Sequence, residues 1–173
     1  PEALADLRRS EVERSVEILT GTTDAMLWLG VPDCELPGGE SEIAPMVDAL
    51  ARLVDHIGVT ALWSSWGGDP HCDHEATASI AAALHAERPA LRHFSYAIWG
   101  RFADIGPERL PAVPDLSRLD GSGERARKEA AVAAHRSQMT DLIDDDPEGF
   151  TLEPSLQRHF IEAPEIFIRE TTE

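Results

Sequence analysis

The residue types best suited to chemistry fall in one short stretch, Asp69, Pro70, His71, Cys72, Asp73 and His74, entered through Trp66, Gly67 and Gly68. It sets two imidazoles three positions apart, with one carboxylate two residues before the first and another between them. Histidines at this spacing on the first turn of a helix suit a divalent metal. The partial positive charge of a helix N-terminus disfavours imidazolium and keeps the ring in its neutral, coordinating form. The same N–H groups can receive an anion that develops during a reaction. Asp69 or Asp73 can orient an imidazole through its second nitrogen. A plainer account competes: Asp69 or Asp73 caps the helix and the histidines are merely exposed. Cys72 is a poor nucleophile candidate, and a thiolate there would sooner add to a metal site.

The elements around this stretch must present it. Val59-Thr-Ala-Leu-Trp-Ser64 is β-branched and aromatic between glycines, which predicts a buried strand. Glu75 to Glu87 is alanine-rich and predicts a helix that begins near His74. The order is strand, polar loop, helix, and in an open α/β sheet ligands bind at the carboxyl ends of strands. Elsewhere the patterns predict helices over 2–19, from about 41 to 57 with Gly58 as the stop, over 123–144, and a turn or two over 152–160. Strands are expected at 25–29, 91–99 and 165–169, with a short one at 116–119 inside a long loop spanning 100–122. The alternation predicts a three-layer α/β sandwich around a mostly parallel, Rossmann-like sheet, as a single domain over 1–173. Asp33, after the 25–29 segment, reads as a turn residue or a ligand-facing carboxylate. Loop 100–122, with Trp99 and Arg101 at its start, is the candidate specificity element.

The length of 173 residues is enough for a sizeable core, and the formal net charge is −17. That balance argues against nucleic acid or an anionic membrane surface as partner, since both require clustered Lys and Arg. No apolar run approaches a membrane span and no signal peptide is visible. Two cysteines, Cys34 and Cys72, without CxxC spacing, suggest reduced thiols in the cytoplasm. Pro1 in place of Met, followed at once by an amphipathic helix, predicts that an N-terminal portion is lacking.

The order of these pieces resembles the LmbE-like, or PIG-L, family of zinc-dependent N-acetyl-sugar deacetylases. Arg8-Arg-Ser-Glu11 looks like that family's Arg-x-x-Glu helix, and Leu29-Gly-Val-Pro-Asp33 its leucine-glycine-x-x-aspartate loop. Asp69-Pro-His-Cys-Asp-His74 is similar to its second metal motif, with Cys72 where a proline is usual. Lys128 with His135-Arg-Ser-Gln138 looks like its C-terminal helix, and Pro164 to Ile168 its last strand. The resemblance implies a Zn2+ cofactor held by His74. It implies that His71, as a cation supported by Asp73, stabilises the oxyanion or protonates the leaving amine. Arg8 and Asp33 match positions that contact sugar hydroxyls, and Asp69 is assigned to the same substrate-binding group. The family's opening His-Pro-Asp-Asp-Glu, which supplies two further ligands and the general base, is absent here. A catalytic zinc needs three protein ligands and an open position.

The expected activity is therefore metal-dependent removal of acetate from an N-acetylated amino sugar or its conjugate. Hydrolysis of another amide or ester, or a non-catalytic binding member of the same fold, are the alternatives. The expected partner is a small-molecule sugar, and self-association is left open. The resemblance assigns no role to Lys128, His135 or Gln138 beyond packing against the site or touching it.

Overall fold

A computed structural model describes residues 2–104, 106, 115–143 and 150–171. The acidic run 144–146 and the stretches 105 and 107–114 of the long loop lie outside them. The chain forms two compact units, Pro1–Trp28 with Leu119–Glu165, and Leu29–Arg118 with Ile166–Glu173.

The second unit carries the sheet. Helix α2 (Glu40–Ile57) is followed by strand β1 (Ala61–Ser65), helix α3 (Cys72–Glu87), strand β2 (Arg92–Tyr96) and strand β3 (Leu116–Leu119). Strand β4 (Glu165–Glu170) completes an α/β fold with a four-stranded open sheet in the order β1-β2-β4-β3. The pair β1–β2 is parallel, with Trp63 opposite Phe94 and Ser64 opposite Ser95, and α3 forms the crossover between them. Strand β4 joins β2 antiparallel, with His93 opposite Glu170. Apolar residues at helical spacing on α2 (Ile43, Val47, Ala51) meet Ile80 and Leu84 of α3, and Leu91 closes the cluster. Each large side chain buried this way contributes roughly 1.5–3 kcal/mol, which fixes α3 and therefore the loop before it. Gly58 ends α2 at φ 69°, its N–H bonded to the Val54 carbonyl, a left-handed cap that favours glycine.

The first unit holds α1 (Glu2–Thr20), α4 (Arg125–Ala133), α5 (Arg136–Met139) and α6 (Pro154–Glu162). The single helix expected over 123–144 is broken. His135 leaves helical geometry at φ −82°, ψ 57°, and the carboxylate of buried Glu11 accepts hydrogen bonds from the Ser137 N–H (2.8 Å) and hydroxyl (2.6 Å). A tertiary cap overrides local helix propensity here.

Two further expectations differ. Residues 25–29 form no strand; Leu27 is 65% and Leu29 57% exposed, and the segment starts in a turn with the Met26 N–H on the Thr23 carbonyl. A strand needs a ladder partner, and no described strand pairs with it. The strand expected over 91–99 stops at Tyr96, because the next backbone donors turn to Asp69.

Candidate functional site

The loop between β1 and α3 is organised by Asp69, whose side chain is fully buried. Its Oδ1 accepts from the N–H groups of Ile98 (3.1 Å) and Gly100 (2.6 Å), and its Oδ2 from the Trp99 N–H (3.2 Å) and His74 Nδ1 (2.5 Å). Burial opposes the charge, but the hydrogen bonds from Gly100, His74, Trp99 and Ile98 outweigh it and hold the carboxyl below the usual carboxylate range. The close approach requires glycine at position 100: a Cβ there would stand 2.9 Å from the Trp66 ring and 3.0 Å from Asp69 Oδ1.

With Nδ1 donating to Asp69, His74 presents Nε2 as its lone-pair nitrogen. This is the arrangement by which a carboxylate sets the tautomer of a metal-binding histidine. The geometry fits imidazole orientation by Asp69, whose two oxygens each accept two of these four hydrogen bonds.

His71, rather than Asp69 or Asp73, is the N-cap of α3. Its Nδ1 accepts the Asp73 N–H at 3.2 Å, and its ring lies 4.6 Å from that of His74. In this cap the His71 ring acts as the acceptor through Nδ1. Asp73 also serves a second partner. Its carboxylate accepts from the N–H groups of Cys34 (2.8 Å) and Leu36 (3.4 Å). Burial opposes its charge, yet these two donors, then the Asp33 carboxyl and the nearby His71, hold it below the usual range.

Asp73 thereby draws the 33–36 loop onto the start of α3. Cys34, exposed and at φ 61°, stands beside Cys72, and both thiols are free. The hydrogen bond to Cys72, then burial and the charges of Cys72, Asp33 and Asp73, push the Cys34 thiol up to about 11. Potential ligand atoms of Cys34, His71 and Cys72 lie within 4.8 Å of one another, as do those of Asp33, Cys34 and Asp73.

Arg8 belongs to the other unit, where its Nε is buried without a hydrogen-bond partner. Lys128 pairs with Glu165, the Gln138 carbonyl accepts the Leu152 N–H at 2.8 Å, and the Glu11–Ser137 pair lies beside His135. The C-terminal motif therefore ties that unit together, which accounts for residues to which the sequence assigned no role. Trp99 enters the site through its backbone N–H, and Arg101 closes the short 3₁₀ turn Trp99–Arg101.

A cavity of about 660 Å³ lies between α3 and the sheet, with Trp66, Gly67 and Gly68 in its wall. Its polar wall was not anticipated: His85, His93, Ser64, Ser95 and Glu170. His93 Nε2 is 2.9 Å from the Ser64 hydroxyl, which itself bonds the Ser65 carbonyl, and Ser95 pairs with Glu170. Burial lowers the His93 pKa, against the charge of Glu170 and with that of His85. The alternation of His93 and Ser95 on one strand face was the available signal.

No family model matches the chain, and no curated protein sequence does. Solved structures do. The chain is similar to the A40926 pseudoaglycone deacetylase Dbv21, with a TM-score of 0.61 and 16% identity over 96% of this chain and 70% of that one. It is similar to the conserved protein TT1542 from Thermus thermophilus, with a TM-score of 0.63 and 24% identity over 94% and 72%. The zinc-inhibited form of teicoplanin deacetylase Orf2 aligns with a TM-score of 0.60 and 18% identity over 98% and 76%. This chain has their fold. Among the described residues, no helix is long and apolar enough to cross a membrane.

Proposed function

We propose that this chain is an LmbE-like (PIG-L) deacetylase domain, and that its protein removes the acetyl group from an N-acetylated amino sugar or its conjugate. The observation that carries the reading is the Asp69–His74 pair at the head of α3, on a fold that two named deacetylases share. Two free cysteines fit a reducing, cytoplasmic setting. Zinc is the cofactor this reading implies. His74 suits it, with Nε2 available and the tautomer fixed. The set as a whole does not fit: among the described residues, His74 belongs to no group of three donors within 4.8 Å, and a catalytic zinc takes three. No hydrolytic step is therefore routed through the ion.

What these residues offer is positioning. Asp69 fixes the imidazole of His74. The remaining ring nitrogen of His71, with Nδ1 tied to the helix cap, is a hydrogen-bond donor for an acyl or hydroxyl oxygen. Asp33 and Arg8 remain the sugar-binding candidates, each within its own unit.

The incomplete donor set around His74 favours a second reading, a sugar-binding member of the fold without catalysis. Acetate release from N-acetylglucosamine and an N-acetylglucosaminyl conjugate, with added zinc, separates the two. Release that disappears in His74→Ala supports the deacetylase. Saturable sugar binding without release, equal in wild type and His74→Ala, replaces it with the binding reading.

A further inference from the structure

The donors this chain does bring together are not those around His74. Cys34, His71 and Cys72 each offer a ligand atom within 4.8 Å of the other two. We propose that these three residues form a separate binding site for a thiophilic divalent ion of the zinc class. Two thiolates and an imidazole are borderline-soft ligands that select zinc, cadmium or cobalt over magnesium and calcium. With zinc–sulfur distances of about 2.3 Å, tetrahedral geometry sets the two sulfurs about 3.8 Å apart. The observed cluster needs at most about an ångström of closure to reach that.

Asp73 ties the two loops of the cluster together. The backbone N–H of Asp73 donates to His71 Nδ1, so coordination through Nε2 moves the ring proton from Nε2 to Nδ1 and releases that cap. The carboxylate of Asp73 holds the N–H of Cys34 at 2.8 Å. The 33–36 loop is thus held at the head of α3 by Asp73. Cys34 is also the only described non-glycine residue at positive φ. That conformation costs about 1–2 kcal/mol for an L-residue, and it is maintained where it turns the thiol toward Cys72. Strain retained at a cluster of ligands is a mark of function. The Asp33 and Asp73 carboxylates also lie within 4.8 Å of the Cys34 sulfur.

Ion binding breaks the two S–H bonds, releases both protons to solvent, shifts the His71 ring proton from Nε2 to Nδ1, and forms two metal–sulfur bonds and one metal–nitrogen bond, with no change in oxidation state. A Cys34–Cys72 disulfide would instead require an oxidant and would give His71 no part.

The test uses the full chain, reduced and stripped of metal, titrated with cobalt(II). Thiolate-to-cobalt charge-transfer absorption is followed, and bound zinc is then counted by native mass spectrometry. Thiolate bands with one ion per chain are expected, retained in His74→Ala and lost in both Cys34→Ser and Cys72→Ser. A fall in affinity of at least about tenfold is expected in His71→Ala, in line with losing a ligand or its support. Both cysteines are exposed, so the serine variants should keep the wild-type circular dichroism. The proposal is overturned by cobalt binding without thiolate bands, by bands that survive either serine variant, or by their loss in His74→Ala. It is equally overturned if the reduced chain binds no ion. None of these readouts depends on deacetylation, so failure of this site and failure of the proposed activity are told apart, although an ion bound here occupies the His71 nitrogen that the proposed activity uses as a donor.

Discussion

Replacing Asp69 by Asn tests the central device of the site. The carboxylate is fully buried and accepts four hydrogen bonds, two on each oxygen. Asn keeps an acceptor at Oδ1 for Ile98 and Gly100. At the other position it sets an NH2 group against two donors, the Trp99 N–H and His74 Nδ1–H. Two charge-assisted bonds are lost, at roughly 1.5–3 kcal/mol each. His74 can recover one of them by moving its proton to Nε2, so a net loss of about 2–4 kcal/mol is expected. The same proton shift removes the lone pair from Nε2, and with it the ability of His74 to bind a metal.

Two assays read the two consequences. Urea unfolding gives the stability, with amide exchange at Ile98, Trp99 and Gly100 locating the loss in this loop. Nitrogen-15 NMR of the His74 ring gives the tautomer, Nδ1–H in the wild type and Nε2–H in the variant. A pH series adds a third. The folded carboxyl binds its proton more weakly than the unfolded one, so its stabilising contribution is complete above about pH 3.9. It is lost as pH falls toward the depressed folded value. Asp69→Asn should lack this acid-dependent component. A variant within about 0.5 kcal/mol of wild type, the size of an ordinary surface substitution, with His74 still protonated at Nδ1, would refute the reasoning.

Other consequences can be measured alongside. Glu11→Ala strips the cap from α5 and leaves the buried Ser137 donors unpaired. A loss of about 3 kcal/mol is expected, read as earlier urea unfolding of α1 and α5 and faster exchange at the Ser137 amide. His93 is buried with a lowered pKa, facing His85 and Glu170. The folded state resists its protonation, so stability should be full above about pH 6.5 and fall as pH drops through that value toward the folded pKa. His93→Gln should flatten that part of the profile in urea midpoints measured from pH 8 to 5.

The chemistry of the 69–74 stretch was legible because its signals are local. A β-branched run, a glycine turn and an alanine-rich helix fix strand, loop and helix in that order, and Asp69 lies near enough in sequence to reach His74. The helices of the second unit were legible for the same reason, since Ile43, Val47, Ile80 and Leu84 repeat at helical spacing and Gly58 marks a stop. What was not legible depends on partners far away in the chain. The break at His135 follows from Glu11, more than a hundred residues earlier, and the early end of β2 follows from donors captured by Asp69. The exposed 25–29 run has strand-forming residues but no ladder to join, and composition cannot report a missing partner.

The pairing of Cys34 with Cys72 is the most instructive of these cases. Neither cysteine has a metal-binding spacing, and each alone reads as an isolated thiol. They meet because Asp73, expected to support an imidazolium, also accepts the Cys34 and Leu36 N–H groups and folds one loop onto the other. A single carboxylate thus stays near His71, which helps to hold its pKa down, while bringing a second thiol to its side. If Asp73 is what holds the cluster together, Asp73→Asn should weaken cobalt binding at the thiols although every proposed ligand remains. An Asn still offers one acceptor oxygen, so the loss should fall short of that in Cys34→Ser, within the tenfold to hundredfold range usual for groups that orient metal ligands. Unchanged affinity in Asp73→Asn would mean that the loop finds its place without this carboxylate.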